Sequence, residues 1–354
     1  MQYNDLYFED YQVGEQGETC GRTITEADLL QFACITGDFA PVHMDRHLMA
    51  KSATGTRVGH GWFGTCLAVG MLSYHAPHIV GRDTPAACLW DIESRYAKPI
   101  ILGDTLRLQW SIEEKTPDLN QPGFGAVRTA YRLINQEGVT EYDGFITTEV
   151  RMRHAESAKL QFHPGVPCKF KEFVPDYNKV YVTEDFVIGE GWESYGRMIT
   201  ETDVVNLMGL TQDYDRIYVD SAYAKKTVCG ERIVPWMLIA VIAIVLSGRD
   251  GPFLNIKKLE APYIGHLNEK VSFLAPAKIG DVIRCRTMFD AIRISKTKPD
   301  RGIITFRQQA INQKDEVLME IQTLFMEPTK AAAAQLHEIS WVLSTTKGTG
   351  KPTK

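Results

Sequence analysis

Asp38 and His43 lie five residues apart in Thr36-Gly37-Asp38-Phe39-Ala40-Pro41-Val42-His43. The intervening Pro41 makes the segment too irregular to be one face of a core element. A carboxylate and an imidazole held close together share a water molecule: one takes its proton while the other orients or relays it. Proximity to a carboxylate also tunes a histidine near neutral pH. Further on, Gly59-His60-Gly61 opens a long apolar run, Trp62 to about Val80, that reads as a buried helix. Backbone N–H groups at a helix N-terminus face outward at the positive end of its dipole and accept developing negative charge, as an oxyanion hole does. The missing side chain of Gly61 lets a carbonyl approach its amide closely. Together these parts suit addition of water to, or its removal from, a double bond conjugated to a carbonyl.

The elements that position them occur twice. Glu9 to Asp28 (EDYQVGEQGETCGRTITEAD) aligns with Glu184 to Asp203 (EDFVIGEGWESYGRMITETD), and the match runs on through Asp38/Asp213, Asp45/Asp220 and Arg57/Arg232. About a third of the positions from Glu9 to Arg57 are identical to their counterparts, which marks a duplicated unit. Farther on, Lys98 to Leu108 (KPIILGDTLRL) aligns with Ala275 to Cys285 (APAKIGDVIRC). Each copy reads as a short helix capped at Thr25 or Thr200, a polar loop, a long buried helix (235–247 in the second copy) and three or four alternating strands. The expected fold class is α+β, with two tandem antiparallel sheets each wrapped around a long central helix. The expected organisation is a catalytic unit at 1–152, a linker at 153–180, a second unit at 181–328 and an extension at 329–354 with a frayed end.

The segment Gly37-Asp38-Phe39-Ala40-Pro41-Val42-His43 resembles the hydratase signature G-D-x-N-P-[LIV]-H of the MaoC-like, (R)-specific enoyl-CoA hydratase and acyl dehydratase family. The resemblance covers both copies and implies a double hot dog fold. It implies reversible hydration of a trans-2-enoyl-CoA to a (3R)-hydroxyacyl-CoA, with Asp38 and His43 activating water and the Gly61 N–H as oxyanion hole. Pro41, Gly59 and His60 would line the pocket or brace the turn. Coenzyme A enters only as part of the substrate, with no separate cofactor and no metal. Ala40 stands where the family has asparagine.

The second copy keeps Asp213 but has Tyr218 for His43, Arg216 for Pro41, and Val234-Pro235-Trp236 for the glycine turn. Proline has no N–H to offer and the indole would block a thioester, so one active site per chain is expected. In two-copy members of the family, the resemblance implies, the inactive half shapes the acyl pocket. Arg57 and Arg232, present in both copies, read as structural, and Asp104 and Asp281 as turn residues. Arg95, Lys98, Arg293, Lys296, Lys298 and Arg301 are candidates for the phosphates of coenzyme A.

The bulk properties agree. The chain has 354 residues, 44% hydrophobic, with a net charge of −5 and no basic block, which points away from nucleic acid. Seven scattered cysteines form no CxxC pair, and the most apolar window, Ile233 to Ser247, is about fifteen residues, short of the roughly 18–20 that would span a membrane, so a reducing cytoplasmic setting is expected. A homodimer is left open. A hot dog thioesterase and a non-catalytic acyl-CoA-binding subunit are the alternatives.

Overall fold

The computed structural model describes residues 6–336 except 51, 53, 83, 177–178 and 253–264. The expected frayed end lies outside the described residues. In the first copy, short strands β1 (Gln16–Glu18) and β2 (Arg22–Thr23) precede α1 (Glu26–Thr36). Two single-turn helices follow, α2 (Pro41–Met44) and α3 (Arg46–Met49), and then the long α4 (Gly61–His75). Four long strands complete it: β3 (Ala87–Tyr96), β4 (Thr105–Pro117), β5 (Phe124–Ile134) and β6 (Thr140–Arg151).

After β7 (Lys171–Glu172) the series recurs. It comprises β8 (Glu190–Glu193), β9 (Arg197–Met198), α5 (Glu201–Thr211), α6 (Ser221–Ala224) and α7 (Trp236–Asp250). Then come β10 (Gly265–Phe273), β11 (Val282–Ile294), β12 (Arg301–Ile311), β13 (Val317–Pro328) and a short α8 (Lys330–Leu336).

The two halves join edge to edge. β3 pairs antiparallel with β10, from Arg95 opposite Asn268 to Asp91 opposite Ser272. The strand order β1-β4-β5-β6-β3-β10-β13-β12-β11-β8-β7 is thus one continuous sheet, with β2 on β4 and β9 on β11. α4 and α7 are apolar nearly all round and buried from Trp62 to Ser73 and from Trp236 to Ala243, as a helix wrapped by a sheet must be. They belong to one core spanning both copies. Where α4 passes the end of α5 there is no room for any side chain: a Cβ on Gly70 would stand 1.8 Å from the Thr211 carbonyl oxygen.

Local signals explain most boundaries. Thr25 caps α1, and the reciprocal carboxylate is Asp28, whose Oδ2 accepts from the Thr25 N–H at 2.7 Å. α4 is shorter than its apolar run suggested: Pro77 cannot continue the hydrogen-bond ladder, so the chain passes into a single 3-10 turn over Pro77–Val80. The segment around Pro41 is not wholly irregular either. Proline at the first helical position is pre-set for a helix, and α2 starts there. The expected linker also carries a 3-10 turn (Arg153–Ala155) and β7.

The duplicated residues do structural work in parallel. Arg57 pairs with Glu26 at 2.7 Å and Arg232 with Glu201 at 2.5 Å, each tying the loop before a core helix to the first turn of the capped helix. Asp104 Oδ2 accepts from the Ile101 N–H, and Asp281 Oδ2 from the Lys278 N–H, closing equivalent turns.

Candidate active site

α1 ends at Gly37, whose φ of 89° is the left-handed conformation that glycine reaches without penalty, and its N–H closes on the Ala33 carbonyl. The chain then turns across the head of α4. Asp38 is held by its own backbone: its Oδ1 accepts from the Ala40 N–H at 3.1 Å, and its N–H donates to Thr36 Oγ1 at 3.2 Å. Because the Ala40 contact is made by the main chain, Asp38 is oriented without the side chain that alanine lacks.

His43, in α2, faces Asp38 with Nε2 3.9 Å from Oδ2. That gap is too long for a direct hydrogen bond, but one oxygen about 2.8 Å from each can sit against both. The opposite nitrogen, Nδ1, lies 2.8 Å from the Val58 carbonyl oxygen. A carbonyl can only accept, so Nδ1 carries a hydrogen toward it and Nε2 is the nitrogen left to face Asp38.

His60 caps α4 beneath this pair. Its Nε2 donates to the Asp38 carbonyl at 3.0 Å, and its ring stacks on His43 with centroids 3.8 Å apart. Burial, with the neighbouring His43 adding to it, pushes the His60 pKa well below the usual imidazole range, so the ring stays neutral. The ring of His60 thus touches both the Asp38 main chain and the His43 ring. Gly59 donates to the Ile100 carbonyl at 2.8 Å, and Pro41 starts the turn that presents His43. Gly61 is the first residue of α4, where an N–H has no partner within the helix. Asp38, His43 and His60 bring ligand-type atoms within 4.8 Å of one another, a group that could together contact a cation among the described residues.

A second polar cluster abuts the same glycine and was not legible as a motif. A Cβ on Gly61 would stand 3.1 Å from Nδ1 of His266 and 3.3 Å from the ring of Tyr96. His266 and Glu269 come from β10 of the other copy, three residues apart on a strand whose sequence contains no recognisable signature. Glu269 Oε1 accepts from Thr65 Oγ1 at 2.7 Å, and Thr65 also reaches Ser94 and Tyr96. Burial pushes the Glu269 carboxyl up to about 8 and the His266 imidazole down to about 3, so both are neutral at pH 7.

Of the candidate phosphate ligands, Arg95 is engaged by Asp143 and Arg301 is buried against Asp300. Lys98, Arg293, Lys296 and Lys298 are exposed.

The chain is similar to known proteins along both copies. A MaoC-like domain model matches residues 10–130, and a model of the FAS1-like dehydratase domain region matches residues 177–321. The chain is 35% identical over 111 residues to Protein MaoC of Klebsiella aerogenes, covering 31% of this chain and 31% of that one. It is 31% identical to a 3-hydroxybutyryl-CoA dehydratase of Methylorubrum extorquens, covering 32% of this chain and 68% of that one. It is 28% identical to an (R)-specific enoyl-CoA hydratase of Rhodospirillum rubrum, covering 42% and 92%.

Among solved structures, a Chloroflexus aurantiacus protein with a MaoC domain superposes over 93% of this chain and all of its own, with a TM-score of 0.72 at 16% identity. A Mycobacterium tuberculosis protein described as a double hot dog superposes over 91% of this chain and 98% of its own, with a TM-score of 0.67 at 14% identity. At such identities these two likenesses speak to the fold alone, and the fold is a double hot dog.

Proposed function

The chain belongs to the MaoC-like dehydratase family, and from that premise we propose that it reversibly hydrates a 2-enoyl-CoA to the (3R)-hydroxyacyl-CoA. The observation that carries the reading is the Asp38–His43 pair at 3.9 Å, with the His43 tautomer set by the Val58 carbonyl. Water held between the two side chains gives a proton to His43 Nε2 as its oxygen bonds to the β-carbon. Asp38 accepts a hydrogen bond from the hydrogen that stays on that oxygen, and so orients the water. The electron pair of the double bond moves onto the thioester oxygen, where the Gly61 N–H and the positive end of α4 stabilise the enolate-like charge. The proton on His43 then passes to the α-carbon, and the site returns to its starting state. Dehydration is the same path reversed.

His60 takes no part in this transfer. Neutral and stacked on His43, it fixes the ring plane and holds the Asp38 main chain. The reaction needs no redox cofactor and no metal. The test is loss of enoyl-thioester ultraviolet absorbance with crotonyl-CoA and longer 2-enoyl-CoAs, followed by stereochemical analysis of the product. A (3R)-hydroxyacyl product is expected. Absence of turnover with each of them, or release of free thiol from a saturated acyl-CoA, would overturn it.

A further inference from the structure

The cluster behind Gly61 joins two polar atoms that the fold leaves unsatisfied. His266 Nε2 and Glu269 Oε2 are buried with no hydrogen-bond partner, and they lie 3.8 Å apart. The His266 side chain is 11% exposed and that of Glu269 is fully buried. Neither is loosely placed. The imidazole is stacked on Phe325 at a centroid distance of 4.5 Å and met edge-on by Tyr96 at 4.4 Å. One oxygen of Glu269 is fixed by Thr65, while the other is left over. Leaving buried polar atoms unpaired costs stability, so a rigid unpaired set beside a binding glycine points to a partner that arrives with a ligand.

The chemistry of that partner follows from the donor set. No charged side chain contributes to the pKa shift of either residue, and both are neutral at neutral pH. Among the described residues, a carboxylate brought here would find no compensating cation and would lose its hydration, whereas an uncharged oxygen would gain hydrogen bonds.

We propose that His266 and Glu269 of the second copy, with Tyr96, hydrogen-bond a hydroxyl or ketone oxygen carried by the acyl chain. The inference rests on the enoyl-thioester reading above and narrows it to acyl groups bearing a neutral polar substituent. A protonated Glu269 donates to that oxygen, and His266 Nε2, unprotonated or protonated according to tautomer, accepts from or donates to it. Apolar chains of equal length leave both atoms unpaired, and a site built to hydrogen-bond a substrate group rejects the analogue that lacks it more strongly than a greasy pocket rejects one methylene.

Saturated thioesters separate recognition from turnover. Titration calorimetry on the full chain would compare butyryl-CoA with 4-hydroxybutyryl-CoA, hexanoyl-CoA with 6-hydroxyhexanoyl-CoA, and both pairs with succinyl-CoA. In at least one pair the wild type is expected to bind the hydroxylated member about tenfold or more tightly than its plain counterpart. That ratio should fall to about one in Glu269→Leu and in His266→Phe, with Glu269→Gln as the milder replacement if the leucine variant does not fold. Equal affinities within every pair, a ratio that survives both substitutions, or tightest binding of succinyl-CoA would overturn the inference while leaving the hydratase reading intact. Failure of the wild type to bind any of the five would overturn the thioester reading itself.

Discussion

The heads of the two core helices began as the same structure, and they now differ in whether anything can enter. At the head of α4, Asp38 and His43 keep 19% and 12% of their side chains exposed and face each other across a water-sized gap. At the head of α7, Asp213 is buried, and the Tyr218 that replaces the imidazole is buried against it. The glycine turn has become Pro235-Trp236, and an indole stacked on Phe273 at 4.9 Å stands where the first copy has the side-chain-free Gly61. Asp213 is also reached by Ser73 and Arg82 from the first copy. The first head therefore presents a carboxylate and an imidazole to an open gap, and the second is packed shut. The second copy still meets the first head through β10, whose His266 lies beside Gly61.

The largest effect expected from breaking this contrast is at the first head. Asp38→Asn or His43→Ala should lower enoyl-CoA hydration by about 10³-fold, with unfolding temperature nearly unchanged, as read by ultraviolet decay and calorimetry. Filling the first head as the second is filled should be intermediate. Gly61→Ala places a methyl 3.1 Å from His266 and 3.3 Å from Tyr96, so activity should drop by about tenfold.

Emptying the second head should cost stability and yield no chemistry. Trp236→Ala removes a buried indole and is expected to cost about 3–5 kcal/mol in denaturant unfolding, with no second site gained.

A subtler effect should appear at Asp213. Burial raises its pKa from 3.8 to about 6, so the folded state favours the protonated acid. Its stabilising contribution is full below about pH 4 and is lost as pH rises through 6. Asp213→Asn should therefore be more stable than wild type at pH 7, by roughly 1–3 kcal/mol, with the advantage vanishing near pH 4. Smallest of all, Ala40→Asn should change kcat/KM by less than about tenfold, because the main chain at 40 already holds Asp38.

Much of this could be read from the residues. The repeat marks two copies, Thr25 and Thr200 mark the capped helices, and Asp38, His43 and Gly61 stand out by residue type and spacing. What stayed hidden depends on distant chain segments meeting. The Val58 carbonyl that sets the His43 tautomer is a backbone atom and leaves no trace in composition. Glu269 sits on a strand next to Lys270 and looks like a solvated charge; only the β3–β10 pairing puts it under Thr65. The single turn at Pro41 and the early end of α4 at Pro77 depend on where a proline falls within a run, which periodicity alone does not resolve.

The most direct test of the central claim sets the two heads side by side. Hydration of one enoyl-CoA would be followed in wild type, Asp38→Asn and Asp213→Asn, each shown to be folded. Loss of about 10³-fold in Asp38→Asn, with Asp213→Asn within about threefold of wild type, is the predicted result. Comparable losses in both variants, or a loss confined to Asp213→Asn, would contradict it.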